Sequence, residues 1–309
     1  MAFSDREYGR RLSFAETNNS LITLIAINLV VFVILIFIRA VIHLQHRESA
    51  QALLVFDQHV LSWFALPADL SKMGSRPWTV LTHMFTHTGV WHILGNMLWL
   101  WVFGYILQEL TGNRKIVPVY LYGGLAGALA FILAFQFLPA LQPHLSQATA
   151  IGASAGVMAV AAAVTTLSPG YRIFPLLNGG IPIWVITIFY LIIDLATIPA
   201  GNPGGHIAHL AGALAGFLFI YFFRRGTDWG GWMNNFFDWV SNLFNPDKPQ
   251  KGKSVKEAFF YKPTQQPYKK TPNLTEKRID EILDKINQQG FDALTEEEKE
   301  LLKRAAKED

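Results

Sequence analysis

The chain has 309 residues, of which 51% are hydrophobic and 16% are charged, and it contains no cysteine. The absence of cysteine excludes disulfides, thiolate nucleophiles and cysteine-ligated metal ions. The net charge of +3 is too small to indicate a nucleic-acid partner, and the positive charge near the end of the chain suits a surface that faces anionic lipid.

The hydrophobic residues are concentrated in six nearly uncharged segments, each predicted to cross ~30 Å of hydrocarbon. These segments are Leu21–Ile38, Val90–Leu110, Ile116–Phe137, Ile151–Leu167, Ile181–Ile198 and Ile207–Phe223. The first lacks a cleavage site, so we expect an uncleaved anchor. Lys and Arg are enriched before the first segment and after the second, fourth and sixth. This distribution predicts that both termini are cytoplasmic, and we expect the cytoplasmic membrane of a bacterium.

The pattern predicts four parts along the chain. They are a cytoplasmic N-terminal segment (1–19), a six-span core (20–226), an interfacial aromatic segment with a basic flexible linker (227–273), and a cytoplasmic helical hairpin (274–309). The aromatic segment is predicted to be an amphipathic helix, with a loose aromatic anchor as the alternative. In the hairpin, Gly290 suits a helix C-terminus, and Thr295 with Glu298 forms a capping box.

The long connection between the first two spans, residues 41–88, is half apolar and helix-compatible. It is predicted to be partly helical and embedded in the outer face of the membrane. Trp63, Trp78 and Trp91 would lie at the level of the lipid headgroups.

Polar side chains that could take part in catalysis lie near the start of the even-numbered spans. His92 and Asn96 lie in the first turns of the second span, Ser154 in the first turn of the fourth, and His209 in the first turn of the sixth. Because these three spans run in the same direction, the four side chains share a depth of ~5–10 Å below one surface. Ionisable groups in a bilayer usually mark function, so we expect the four side chains to converge.

Their chemistry is that of acyl transfer. A serine hydroxyl becomes a nucleophile when a base accepts its proton, and histidine is the usual base. His92 and Asn96 share one helix face and each offers an N–H donor. The Ser154 backbone N–H, near a helix start, offers a third donor to a developing oxyanion.

Glycines accompany both reactive residues. Gly152 and Gly156 flank Ser154, and Gly212 and Gly216 follow His209 at three and seven residues. Small residues allow two helix backbones to approach closely in a membrane. A Ser–His hydrogen bond between two helices requires that closeness.

Two alternatives involve other ionisable groups. His83, His87 and His92 could hold a metal ion, but no HExxH motif and no nearby carboxylate completes a site. We therefore expect neither a metal nor another cofactor, and expect His83 and His87 to hydrogen-bond the backbone of the irregular loop. Asp194, near the end of the fifth span, could orient His209 as a third triad member. We interpret it instead as a structural residue.

The segments THMFTHTGVWHILGNMLWLW (82–101), GASAG (152–156) and AHLAGALAG (208–216), with Asn28 in the first span, resemble the rhomboid family of intramembrane serine proteases. The resemblance implies an all-α membrane protein, a rhomboid-like bundle of six transmembrane helices. It also implies a Ser154–His209 dyad rather than a triad, with His92, Asn96 and the Ser154 N–H as the oxyanion hole. His209 is preferred to His206 because small residues flank it.

Two features depart from the family's pattern. The family often has a Trp-Arg pair in the first outer loop, whereas here Trp78 is followed by Thr79 and Arg76 precedes it. The acidic residue late in the second span is replaced by Gln108 followed by Glu109. The terminal hairpin is similar to a cytoplasmic tail of some bacterial rhomboids.

The leading functional hypothesis is an intramembrane serine endopeptidase. It would hydrolyse a peptide bond in or next to the transmembrane segment of single-span membrane-protein substrates through an acyl-enzyme. The alternative is a catalytically inert rhomboid-like protein that binds membrane clients; intact Ser154 and His209 argue against it. A transporter is disfavoured because the spans form no inverted repeat. The expected partners are these substrates, the lipid bilayer and a cytoplasmic partner for the hairpin.

Overall fold

A computed structural model describes residues 19–174, 179–243 and 276–308. The chain divides into two compact units, residues 1–245 and 246–309. The predicted N-terminal segment, except for Asn19, and the predicted basic linker lie outside the described residues.

The described part of the first unit is a bundle of α-helices. They are α1 (Ser20–Gln45), α2 (Ser49–His59), α3 (Leu70–Ser75), α4 (Thr79–Thr82), α5 (Val90–Thr111), α6 (Ile116–Phe137), α7 (Ser154–Leu167), α8 (Ile183–Thr197), α9 (Pro203–Phe223) and α10 (Gly231–Leu243). Among the described residues, α1, α5, α6 and α9 are long and apolar enough to cross a membrane, while α7 and α8 are shorter apolar helices of 14 and 15 residues. Each of the six predicted segments overlaps one of these helices, which confirms the all-α membrane bundle.

The helix boundaries differ from the prediction at α1 and α9, and the difference at α9 affects the candidate site. This helix begins at Pro203, four residues earlier than predicted, because the Asn202 side chain caps it by accepting the Gly205 N–H. His209 therefore lies in the second turn of α9, and the prediction of the first turn is wrong. Helix α1 is also longer than predicted and continues to Gln45.

The connection between α1 and α5 is partly helical, as predicted, and the Arg76 side chain holds several of its parts together. The Arg76 guanidinium lies 4.5 Å from the centre of the Trp63 ring and donates to the Ser62 carbonyl. Trp63 stacks on Trp78, with ring centres 5.8 Å apart, and the Trp78 indole N–H donates to the Trp63 carbonyl. Arg76 therefore anchors this loop although it precedes Trp78 in the sequence.

Two short antiparallel pairs fix the loops. Strand β1 (Leu66–Pro67) pairs with β2 (Thr149–Ala150), which ties the first loop to the segment before Ser154. Strand β3 (Arg172–Ile173) pairs with β4 (Ile181–Pro182), at the start of α8. Because β2 ends four residues before Ser154, the first loop helps to position the end of α7 that carries the candidate site.

Helix α7 lies at the centre of the bundle. Ten consecutive residues, 155–164, are buried, so the helix is covered on every side. It packs mainly against α6 and α9, and also against α5. A Cβ atom on Gly212 would overlap the Ala155 carbonyl oxygen, and one on Gly216 would overlap the Ala159 carbonyl oxygen. The backbones of α7 and α9 are therefore in direct contact, as the small residues of α9 predict.

Helix α6 approaches α7 in the same way. A Cβ atom on Gly123 would overlap the Ala159 side chain, and one on Gly127 would overlap the Ala155 side chain. These two glycines were not among the predicted packing residues. Tyr120 of α6 is fully buried and donates to the Met84 carbonyl at 2.6 Å, which fastens α6 to the first loop.

The aromatic segment forms a helix, α10, as predicted. Its exposed side chains include Trp232, Phe236 and Trp239. Asp238 of α10 pairs with Arg114 at 2.9 Å, so the helix is fixed to the connection between α5 and α6. Large aromatic side chains on an exposed face are typical of a helix that lies in a membrane interface.

The second unit contains α11 (Glu276–Gln289) and α12 (Glu296–Glu308), a helical pair that closes on Ile282, Leu294 and Leu301. Gly290, with φ of +85°, follows α11. The capping box is confirmed: the Thr295 N–H donates to Glu298 Oε2 and the Glu298 N–H donates to Thr295 Oγ1. The Thr295 N–H and the Lys285 ammonium hold the pKa of Glu298 below its ordinary value of 4.5.

We expect Gly216→Ala to destabilise the bundle by about 1–3 kcal/mol, because the added methyl group must push α9 away from the α7 backbone. Thermal unfolding in detergent micelles measures the effect. Gly95→Ala is the matched control, since a Cβ atom there meets nothing within 4 Å. Equal unfolding temperatures for the two variants would contradict the inferred helix contact.

Candidate active site

The site is centred on a hydrogen bond between α7 and α9. Ser154 Oγ, on the first residue of α7, lies 2.7 Å from His209 Nε2. Both residues are half-buried. The two residues are 55 positions apart in sequence, and the close contact of the two helix backbones brings them within bonding distance.

The same histidine contacts a carboxylate on its other side. His209 Nδ1 lies 2.9 Å from Asp194 Oδ1 of α8, and His206 Nδ1 lies 2.8 Å from the same oxygen. Asp194 is buried, with 5% of its surface exposed. The contact with His209 is the one named from the sequence as the alternative to a structural role for Asp194, whereas the contact with His206 was not predicted. Asp194 lies in α8 and His206 and His209 lie in α9, so spacing along the chain did not indicate which histidine the carboxylate would face.

His92 and Asn96 are contributed by a third helix, α5. Both line the same cavity as Ser154 and His209, so the four predicted site residues share one space. The Asn96 amide donates one hydrogen bond to the His92 carbonyl at 2.8 Å, which leaves its second N–H available.

Gly152 and Gly156 have different partners. Gly152 adopts φ of +118°, and a Cβ atom there would overlap the His92 ring. Gly156 faces Tyr120 of α6 and not α9. Gly152 therefore makes room for a site residue, while Gly156 serves the packing of α6 on α7.

The backbone before Ser154 is held by the first loop. The Gly152 N–H donates to the His83 carbonyl at 2.8 Å, and the Ala153 N–H donates to His87 Nε2 at 3.3 Å. His83 Nδ1 lies 3.0 Å from the Thr79 carbonyl. The His83 ring bonds the backbone of the first loop, as predicted, whereas the His87 ring bonds the backbone of the connection before α7. The bonds to Gly152 and Ala153 hold the two residues that precede Ser154.

Two cavities meet at Ser154. One has a volume of about 290 Å³ and is lined mainly by apolar side chains of α5, α7 and α8, among them Trp99, Met158 and Tyr190. The other has a volume of about 200 Å³ and lies towards the loops, beside Thr149 and Asn202. A nucleophile therefore has an apolar space on one side and a more polar one on the other.

In the described part of the chain, Asp194, His206 and His209 form the only group of three side chains close enough to share a metal ion. His83, His87 and His92, the alternative raised from the sequence, do not form such a group. The ring centres of His87 and His92 are 5.0 Å apart in an edge-to-face contact.

Comparison with known families gives two matches. The family described as Rhomboid domain matches residues 74–226, a range that contains every candidate site residue. A family of unknown function, DUF6576, matches residues 265–308, which include the helical pair of the second unit.

Three curated relatives illustrate the similarity. The chain is 27% identical over 182 residues to RHOMBOID-like protein 12, mitochondrial, of Arabidopsis thaliana, covering 56% of this chain and 54% of the relative. It is 26% identical over 220 residues to RHOMBOID-like protein 7 of the same plant, covering 65% and 66%. It is 28% identical over 102 residues to Rhomboid protease GlpG of Salmonella newport (strain SL254), covering 28% and 37%. The chain thus spans less than two thirds of each relative's length.

We expect a fluorophosphonate probe to label the protein at Ser154, because a hydroxyl next to an imidazole acceptor is nucleophilic. Labelling should disappear in Ser154→Ala and fall by about 100-fold or more in His209→Ala. Gel fluorescence of the purified protein in detergent measures it. Ser168→Ala, at the other end of α7, is the control and should label like the unmodified chain. Equal labelling of Ser154→Ala would show that the probe reacts elsewhere.

Proposed function

The chain belongs to the rhomboid family of intramembrane proteases, and we propose that it is itself an intramembrane serine endopeptidase. Its substrates would be membrane proteins with a single span, cut in or next to the transmembrane segment. The observation that carries the proposal is the 2.7 Å contact between Ser154 Oγ and His209 Nε2.

In the proposed reaction, Ser154 is the nucleophile and His209 the general base. His209 Nε2 takes the hydroxyl proton as Ser154 Oγ attacks the scissile carbonyl carbon. His209 then protonates the leaving amine, and the C–N bond breaks to give an acyl-enzyme. A water molecule, deprotonated by His209, attacks the ester carbon. The C–O bond to Ser154 then breaks, His209 returns the proton to Ser154 Oγ, and the acyl fragment leaves as a carboxylic acid. The cavity beside Thr149 and Asn202 supports a route for water from the loop side.

The oxyanion would be held by three donors: the Ser154 N–H, the His92 ring and the free N–H of Asn96. The Ser154 N–H belongs to the first turn of α7, where backbone N–H groups have no partner within the helix. Removing one such donor from a protease costs roughly 10²–10³ in kcat. Gly152 supports this arrangement because it leaves space for the His92 ring.

A substrate helix must unwind before it can be cut, since its carbonyls are otherwise hydrogen-bonded. We propose that it enters between α5 and α8 and places side chains in the apolar cavity. Helix α8 supports this as the gate because only Ile183, Thr187 and Asp194 of its fifteen residues are buried. A contact between Trp99 and Tyr190, with ring centres 5.2 Å apart, closes the entrance.

The protein is a multi-pass membrane protein, and we propose that both termini lie on the cytoplasmic face of a bacterial membrane. The four catalytic and oxyanion residues would then lie near the outer face. The second unit, with Leu283 and Phe291 exposed, would offer a surface to a cytoplasmic partner.

We expect Ser154→Ala to abolish cleavage. Mass spectrometry of membranes that contain the unmodified chain should find new protein termini inside predicted spans, and membranes with Ser154→Ala should lack them. Membranes with Ser168→Ala should give the same termini as the unmodified chain. A chain that binds membrane proteins but yields no new termini would instead support the inert client-binding alternative.

We expect a crosslink between α5 and α8 to block membrane substrates without disabling the chemistry. The chain has no cysteine, so Trp99→Cys with Tyr190→Cys can be joined by a reducible thiol crosslinker. Cleavage of a membrane-embedded substrate should fall at least about tenfold and return on reduction. Fluorophosphonate labelling of Ser154 should persist throughout. Full cleavage by the crosslinked protein would contradict entry between these helices.

A further inference from the structure

One carboxylate oxygen of α8 contacts two imidazoles of α9. Asp194 Oδ1 lies 2.8 Å from His206 Nδ1 and 2.9 Å from His209 Nδ1. Among the described residues Asp194 Oδ2 has no hydrogen-bond partner, so the carboxyl group hydrogen-bonds other side chains only through these two rings. The side chain is 7% exposed. A buried carboxylate with two histidines as its partners calls for a specific role.

The donor and acceptor chemistry of this contact fixes the protons. A carboxylate oxygen only accepts hydrogen bonds, so both Nδ1 atoms must carry a proton. In neutral His209, a proton on Nδ1 leaves Nε2 with a free lone pair. That lone pair faces the Ser154 hydroxyl at 2.7 Å, the arrangement that proton transfer from Ser154 requires.

The charge of Asp194 matters once the proton has moved. When His209 accepts the Ser154 proton it becomes an imidazolium whose Nδ1–H still points at Asp194 Oδ1. In a poorly hydrated place the attraction between the two charges is stronger than in water. Asp194 would therefore stabilise the ion pair that forms as Ser154 attacks.

We propose that Asp194 is a positioning residue that sets the Nδ1–H tautomer of His209 and stabilises its protonated form. The inference rests on the proposed protease function and extends the Ser154–His209 dyad to a third group. His206 holds the carboxylate in place from the preceding turn of α9. Since Asp194 is carried by α8, the proposed gate helix also carries the group that orders the base.

The distances favour hydrogen bonds over a shared metal ion. Zinc lies about 2.0–2.1 Å from each nitrogen or oxygen ligand in a tetrahedral site, so its ligand atoms stand about 3.3 Å apart. The observed separations of 2.8 and 2.9 Å between Nδ1 and Oδ1 are those of N–H···O hydrogen bonds.

The test combines kinetics with nitrogen NMR of ¹⁵N-histidine-labelled protein in detergent. The signal of His209, one of nine histidines, is assigned by its loss in His209→Ala. In the unmodified chain His209 Nδ1 should be protonated and Nε2 unprotonated. In Asp194→Ala the proton should distribute over both nitrogens, and kcat should fall by on the order of 100-fold with KM changed less than about threefold. Asp194→Asn keeps a carbonyl acceptor without the charge, and its kcat should fall by about tenfold.

The control is Thr165→Val, which removes another polar contact of α8, the 2.7 Å hydrogen bond between Thr165 and Thr187. It should lower the unfolding temperature without changing kcat or the His209 tautomer. An Asp194→Ala variant with unchanged kcat, or with His209 Nδ1 still fully protonated, overturns the inference. If the unmodified chain cleaves nothing, the protease proposal fails, and the NMR result still decides whether Asp194 sets the tautomer.

Discussion

The contact between the backbones of α7 and α9 is the constraint on which the site depends. Lipid tails are as apolar as leucine, so helices in a bilayer gain little from burying apolar surface against one another and associate where small residues allow close packing. Here Gly212 and Gly216 touch the carbonyl oxygens of Ala155 and Ala159. The short separation of the two helices is what allows the Ser154 hydroxyl to contact the His209 ring. A side chain at either glycine would push the helices apart and lengthen the distance between Ser154 Oγ and His209 Nε2, on which the proposed chemistry depends.

The backbone before Ser154 presents a second physical problem, because irregular peptide groups at this depth need partners. The first loop supplies them: the His83 carbonyl and the His87 ring accept the N–H groups of Gly152 and Ala153. Arg76, stacked on Trp63, anchors the loop in turn. A cation–π contact does not depend on the order of the two residues in the sequence, so Arg76 can anchor the loop without a Trp-Arg pair.

Helix α8 combines loose packing with two buried polar residues, Thr187 and Asp194. Its three buried residues are spaced so that they face the bundle, and Asp194 is the last of them. A helix held by few contacts can move at modest cost, while its carboxylate lies against the ring of His209. The helix that would admit a substrate is therefore in contact with the base that would act on it. Substrate entry at α8 and the orientation of the His209 ring would therefore both involve Asp194.

Composition and periodicity determined much of this protein: the six apolar helices, the placement of His92, Ser154 and His209 near the beginnings of three of them, and the capping box of the C-terminal helical pair. These follow from local rules, since hydropathy sets the spans and the position of a residue along its span sets the end of the helix at which it lies. The tertiary structure alone decided which helix faces meet. It turned Gly156 towards α6, brought Gly123 and Gly127 against α7, and placed Asp194 on His209. Each of these depends on the rotation of a helix about its axis, and that rotation is set by the packing of all its neighbours together.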